Sequence, residues 1–179
     1  MKKFLLLAII LLGLTQVNAQ DKIKWMSMND ALAAQKEHPK KIFMDVYTVW
    51  CGPCKMLDKN TFSDKNVIKF INENYYAVKF NAEGTEEITY LDFTYTNPNY
   101  RVGRKGKNTT HFLADALRLN GYPSLVFFKE DSELIQALPG YRTPKQLEIY
   151  LKMIANNDYL ELTTTEAWQE YQENFKSTF

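Results

Sequence analysis

Lys41-Ile42-Phe43-Met44-Asp45-Val46-Tyr47, followed after two residues by Trp50-Cys51-Gly52-Pro53-Cys54-Lys55, is the stretch that decides the fold of this 179-residue chain. The apolar run over residues 42–49 reads as a central, buried strand. Pro53 suits a first helical turn, so the strand is expected to hand over directly to a helix. Cys51 then stands at the helix start, where unpaired backbone N–H groups and the positive end of the helix dipole favour thiolate over thiol. Cys54 follows one turn later, within reach of the first sulfur.

These are the only two cysteines in the sequence, and their residues alone allow three fates: structural staple, metal site or redox centre. A staple across so short a loop removes little unfolded-state entropy. Zinc needs four ligands, and the only further soft donors are His38 and His111, neither at finger-like spacing. A redox pair is the reading that the spacing favours.

Working outward, Met1-Lys2-Lys3, the apolar residues 4–14 and Val17-Asn18-Ala19 have the three parts of a cleaved signal peptide. Cleavage after Ala19 takes 19 of the 179 residues and leaves 160, beginning at Gln20. The apolar part is too short to favour a membrane span. One domain over residues 20–179 is expected, periplasmic or secreted, with no stable membrane insertion. Loss of Lys2 and Lys3 moves the formal charge from +1 to −1, so nothing global points to nucleic acid.

Ser27 opens a helix that Pro39 ends, and Ser63-Asp64 caps a second helical segment bearing Val67, Ile68, Phe70 and Ile71. Residues 76–81 read as a strand and 110–119 as a helix. Strands at 124–129 and 133–138 follow, then a helix over 144–156 capped by Thr143 and a last helix near 165–175. The order strand, helix, strand, helix, strand, helix, strand, strand, helix calls for a mixed parallel and antiparallel sheet with helices on both faces. Residues 83–110 interrupt that rhythm. They contain the aromatics Tyr90, Phe93, Tyr95 and Tyr100, which either pack on the core or line a groove. They also contain Arg101, Arg104, Lys105 and Lys107, read as a solvated loop or as a steering patch for an acidic partner. His111 reads as a surface residue at a helix start.

Four separated places resemble the thioredoxin superfamily. They are the hexapeptide Trp50 to Lys55, Asp45 six residues before Cys51, Lys79 in Val78-Lys79-Phe80-Asn81, and Gly121-Tyr122-Pro123-Ser124, which is similar to a Gly-x-Pro-Thr turn with serine for threonine. Within the superfamily, residues 50–67 are similar to the C-terminal thioredoxin-like domain of the thiol:disulfide interchange protein DsbD and to small exported proteins related to it. The likeness spans about residues 25–156, with an insert at about 83–110 and an extension at about 157–179.

The resemblance implies a thioredoxin fold and a protein-disulfide reductase. Cys51 would attack a substrate disulfide and Cys54 would resolve the mixed disulfide. Asp45 would accept the Cys54 proton, with Lys79 tuning it. Pro123 would be cis and pack on the disulfide, while Trp50, Gly52, Pro53 and Tyr122 would form the rim that partners touch. Gly52-Pro53 belongs to reducing members, with potentials near about −270 mV, rather than strong oxidants near about −120 mV. Expected partners are protein disulfides and a membrane or periplasmic dithiol donor, acting on a monomer that needs no metal or organic cofactor. A disulfide oxidase or isomerase, and a binding module without turnover, are the competing readings.

Overall fold

The computed structural model describes residues 22–179; the expected signal peptide lies outside the described residues. Its centre is the strand β2 (Ile42–Tyr47), every residue of which is buried up to Val46. The strand stops two residues earlier than the apolar run does, because residues 48–50 turn and the Cys51 N–H bonds the Thr48 carbonyl. Parallel to β2 lies β3 (Tyr76–Asn81), with the two-residue β1 (Trp25–Met26) parallel beyond it. On the other side β6 (Ser124–Phe128) and β7 (Leu134–Pro139) pair antiparallel, giving the sheet order β1-β3-β2-β6-β7. The sheet is therefore mixed, as the order of elements predicts.

Alternation along β2 divides the core. Ile42, Met44 and Val46 face helix α1 (Met28–Glu37), packing with Met28 and Ala31. Phe43 faces the opposite layer. That layer holds Leu57 from the helical segment after α2 (Gly52–Met56), Val67, Ile68 and Ile71 from α3 (Lys65–Asn74), and Leu147, Leu151 and Ile154 from α5 (Pro144–Ala155). Capping is local and legible: Ser27 accepts from the Asp30 N–H, Asp64 from Asn66 and Val67, and Thr143 forms a reciprocal box with Gln146.

The excursion after β3 is more ordered than a loop. Ile88–Tyr90 (β4) and Phe93–Tyr95 (β5) form a hairpin whose two turn residues, Leu91 and Asp92, both adopt positive φ (48° and 64°). That is the backbone of a tight hairpin turn, reached here without Asn or Gly. Its aromatics divide. Tyr90 is buried against Phe128, Tyr95 packs at the core's edge, and Phe93 and Tyr100 are exposed. The following helix is shorter than its pattern, α4 (Phe112–Ala116).

His111 corrects an expectation. It is fully buried rather than on the surface, because it is the N-cap of α4. Its Nδ1 accepts the Leu113 N–H at 3.1 Å, which leaves the Nε2 proton to be donated to the Glu86 carbonyl at 2.7 Å.

Beyond α5, a short 3-10 turn (Asp158–Leu160) leads to α6 (Thr165–Asn174), and Trp168 and Tyr171 pack on the α5 layer. The last residues fold back onto Glu148, a fully buried carboxylate in α5. It accepts from Lys152 Nζ, the Ser177 and Thr178 hydroxyls, and the Thr178 and Phe179 N–H groups. Burial alone would raise its pKa, but these donors outweigh it and hold the carboxyl down at about 2. A depressed carboxylate contributes stability that is present above its unfolded value of 4.5 and lost as pH falls towards 2. Replacing Glu148 with Gln is expected to cost about 1–3 kcal/mol at pH 7. Urea unfolding midpoints of the two proteins should converge as the pH is lowered towards 2.

Candidate functional site

The β2 strand delivers the chain to Cys51, which is the N-cap of α2. Its Sγ accepts the Cys54 backbone N–H at 3.1 Å, and Pro53 fills the first turn without wasting a donor. Cys51 and Cys54 are joined as a disulfide across a Cα–Cα distance of 5.3 Å, and each is 2% exposed. Gly52 and Pro53 lie exposed above them. A Cβ at Gly52 would meet nothing within 4 Å, so the backbone itself does not demand glycine there. Helix α2 runs into a wider turn of π type (Leu57–Thr61), which brings Asp58 into play.

Asp45 is fully buried. By strand alternation it shares the Phe43 face, the side on which the redox helix packs. Its β3 partner in register is Lys79, whose Nζ donates to Asp45 Oδ2 at 2.5 Å and also to Asp58 Oδ1. The ammonium is flanked by the Trp25, Tyr47 and Phe62 rings at 5.1–5.3 Å from their centroids. Burial opposes the Lys79 charge, yet the two carboxylates hold its pKa above the ordinary lysine value. Burial wins at Asp45: despite Lys79, its carboxyl is pushed up to about 6. Asp45 Oδ1 and the Thr48 hydroxyl are both buried without a hydrogen-bond partner among the described residues.

The opposite wall comes from the turn before β6. The Tyr122–Pro123 peptide is cis, and Ser124 pairs with Val46, which places this turn at the Cys51 end of β2. The Pro123 carbonyl is taken by the Gly140 N–H at 2.7 Å. The Tyr122 backbone makes no hydrogen bond among the described residues, and its ring meets Trp50 edge-on at 6.5 Å.

Trp50 is held from a third direction. Its indole N–H donates to Glu83 Oε2 at 2.9 Å, and the same oxygen accepts the Asn108 N–H at 2.9 Å. Lys107 Nζ lies 4.5 Å from the Trp50 ring centroid. The structure thus joins Asp45 to Lys79, and Trp50, next to Cys51, to Tyr122, with the cis Pro123 turn at the Cys51 end of β2. It adds Asp58, Glu83 and Asn108, which no local motif marks. Among the described residues there is no cluster of His, Cys, Asp and Glu able to hold a metal ion, and no helix is long and apolar enough to cross a membrane.

Residues 28–155 match the thioredoxin-like domain family. The chain belongs to that family. It is 25% identical over 161 residues to an uncharacterized protein of Haemophilus influenzae, covering 84% of this chain and 98% of the relative. It is 28% identical over 127 residues to the thiol:disulfide interchange protein DsbD of Pectobacterium atrosepticum, covering 70% of this chain but 18% of that much longer protein. A thioredoxin-fold protein from Helicobacter pylori superposes with a TM-score of 0.59 at 18% identity, over 88% of this chain and 91% of the other. At that identity, the superposition supports the thioredoxin fold.

Because Asp45 titrates near 6 when folded and near 3.8 when unfolded, its contribution is complete below pH 3.8 and is lost as pH rises through 6. Asp45→Asn should therefore stabilise the oxidised protein by about 2–3 kcal/mol at pH 8. The gain should vanish near pH 4 in parallel urea titrations.

Proposed function

We propose that this protein is an exported protein-disulfide reductase that cycles between a Cys51/Cys54 dithiol and the disulfide. The observation that carries the reading is Cys51 as the cap of α2, its sulfur receiving a backbone N–H donor that would equally stabilise a thiolate. The match to part of a thiol:disulfide interchange protein supports the same chemistry, and the n-region, h-region and Ala19 of the sequence support export.

In the reduced protein the Cys51 thiolate attacks one sulfur of a substrate disulfide. That S–S bond breaks, the leaving thiolate takes a proton, and a Cys51–substrate mixed disulfide forms. Cys54 then loses its proton to the Asp45 carboxylate, whose Oδ1 lacks a partner, and attacks Cys51 Sγ. The Cys51–substrate S–S bond breaks, and the second substrate sulfur leaves as a thiolate that takes up the proton held by Asp45. Two electrons and two protons have passed to the substrate, and the protein is left as the Cys51–Cys54 disulfide. A dithiol donor restores it. Lys79 positions Asp45 through their ion pair, and the rim of Trp50, Gly52, Pro53 and Tyr122 seats an extended substrate segment against the unpaired Tyr122 backbone. Pro123 packs beside the disulfide in this reading.

The test is reduction of insulin disulfides with dithiothreitol as donor. The mature protein is expected to accelerate precipitation of the insulin B chain, and Cys51→Ser to fall to the uncatalysed rate. Cys54→Ser should accumulate mixed disulfides with exported proteins, identifiable by mass spectrometry. Wild-type activity no greater than that of Cys51→Ser would refute the reading.

A further inference from the structure

The excursion between β3 and β6 carries a group of unpaired cations fastened to the redox site. From Phe93 to Ala114 the sequence contains no Asp or Glu, and Arg101, Arg104, Lys105 and Lys107 fall within seven residues of that stretch. All four side chains are exposed, and none forms an ion pair among the described residues. A merely solvated loop has no need of rigid anchorage, yet this one is closed at its base. Asn108 Oδ1 accepts the Arg101 N–H at 2.9 Å, and its Nδ2 donates to the Arg101 carbonyl at 3.0 Å. Gly103 and Gly106, at φ 76° and 84°, turn the chain between them. The base is secured further by Asn97, 7% exposed, which donates to the Gly84 and Thr109 carbonyls.

The anchorage points at the catalytic face. Glu83 Oε2 receives both the Asn108 N–H and the Trp50 indole N–H, so one buried carboxylate fixes the loop and the tryptophan beside Cys51 together. Lys107 then lies on the Trp50 ring. Val49, which precedes Trp50 in the chain, is exposed, and Val102 stands on the loop itself at 93% exposure. An apolar rim next to uncompensated positive charge selects a partner that brings carboxylates close to its own disulfide.

We propose that residues 101–107 form a docking arm for acidic polypeptide segments, so that the preferred disulfide partners carry Asp or Glu flanking the reactive cysteine. This rests on the reductase reading for turnover, but the docking itself does not require turnover. Partner residues a few positions from the attacked sulfur would pass Trp50 and meet Lys107, with the other three cations carried on the same closed loop. Charge at this place acts chiefly on the encounter rate, and it weakens as salt screens it.

The probes are two synthetic peptides with one internal disulfide each, identical except that four flanking residues are Glu in one and Lys in the other. In single-turnover reaction with the pre-reduced mature protein at low ionic strength, the Glu peptide should react about tenfold faster. The advantage should shrink as sodium chloride is added. The variant Arg101→Glu/Arg104→Glu/Lys105→Glu spares Lys107 and Trp50. It should lose or reverse the preference while reducing neutral hydroxyethyl disulfide at the wild-type rate, which also shows that it is folded. Separately, fluorescence anisotropy with the cysteines of both peptides replaced by serine should show tighter binding of the Glu peptide to the oxidised wild type only. Equal rates and equal binding of both peptides by the wild type would overturn the arm while leaving the reductase standing. Preferential binding without reduction of any disulfide would overturn the reductase and leave the arm.

Discussion

Lys79 is shared between two carboxylates, Asp45 inside the central strand and Asp58 on the turn after the redox helix. This pairing ties the sheet to the segment that carries the cysteines, and it makes the buried Asp45 tolerable. An unpaired carboxylate at that depth would be driven neutral. With Lys79 beside it, the carboxyl is raised only to about 6, so at neutral pH it is mostly ionised. Three aromatic rings close around the ammonium, which gives the cation favourable contacts where water is scarce.

A second carboxylate does comparable work at the rim. Glu83 joins Trp50 to Asn108 and so couples the tryptophan next to Cys51 to the excursion after β3. Disulfide exchange is chemically simple and common to the family, so differences among members must come from what lies around the sulfurs. In this chain the surrounding is a tryptophan braced from below by Glu83 and covered on one side by Lys107. A third carboxylate, Glu148, gathers residues 177–179 onto α5 and completes the layer beneath the redox helix.

What the sequence shows of this fold follows from range. The strand at residues 42–47, the helix opened by Cys51 and the caps Ser27, Asp64 and Thr143 are encoded within four residues of themselves, so patterns reveal them. The hairpin at residues 88–95 escapes because Leu91-Asp92 adopts a turn usually signalled by Asn-Gly. His111 reads as a surface residue because its cap on Leu113 and its bond to Glu86 appear only once the excursion folds back. Asp58, Glu83 and Asn108 are ordinary polar residues in sequence; partners 21 to 33 positions away give them meaning. In sequence, Lys79 reads nearly as well as a surface lysine on an alternating strand, until its register opposite Asp45 is known.

Whether the Cys51–Cys54 pair is a reducing couple is read from its equilibrium potential. Equilibrating the mature protein in glutathione and dithiothreitol buffers, and reading the dithiol fraction from tryptophan fluorescence or thiol alkylation, gives the value. A potential of about −270 mV, in the range of reducing thioredoxins, is expected. A potential at or above about −180 mV, that of a disulfide isomerase, would contradict it.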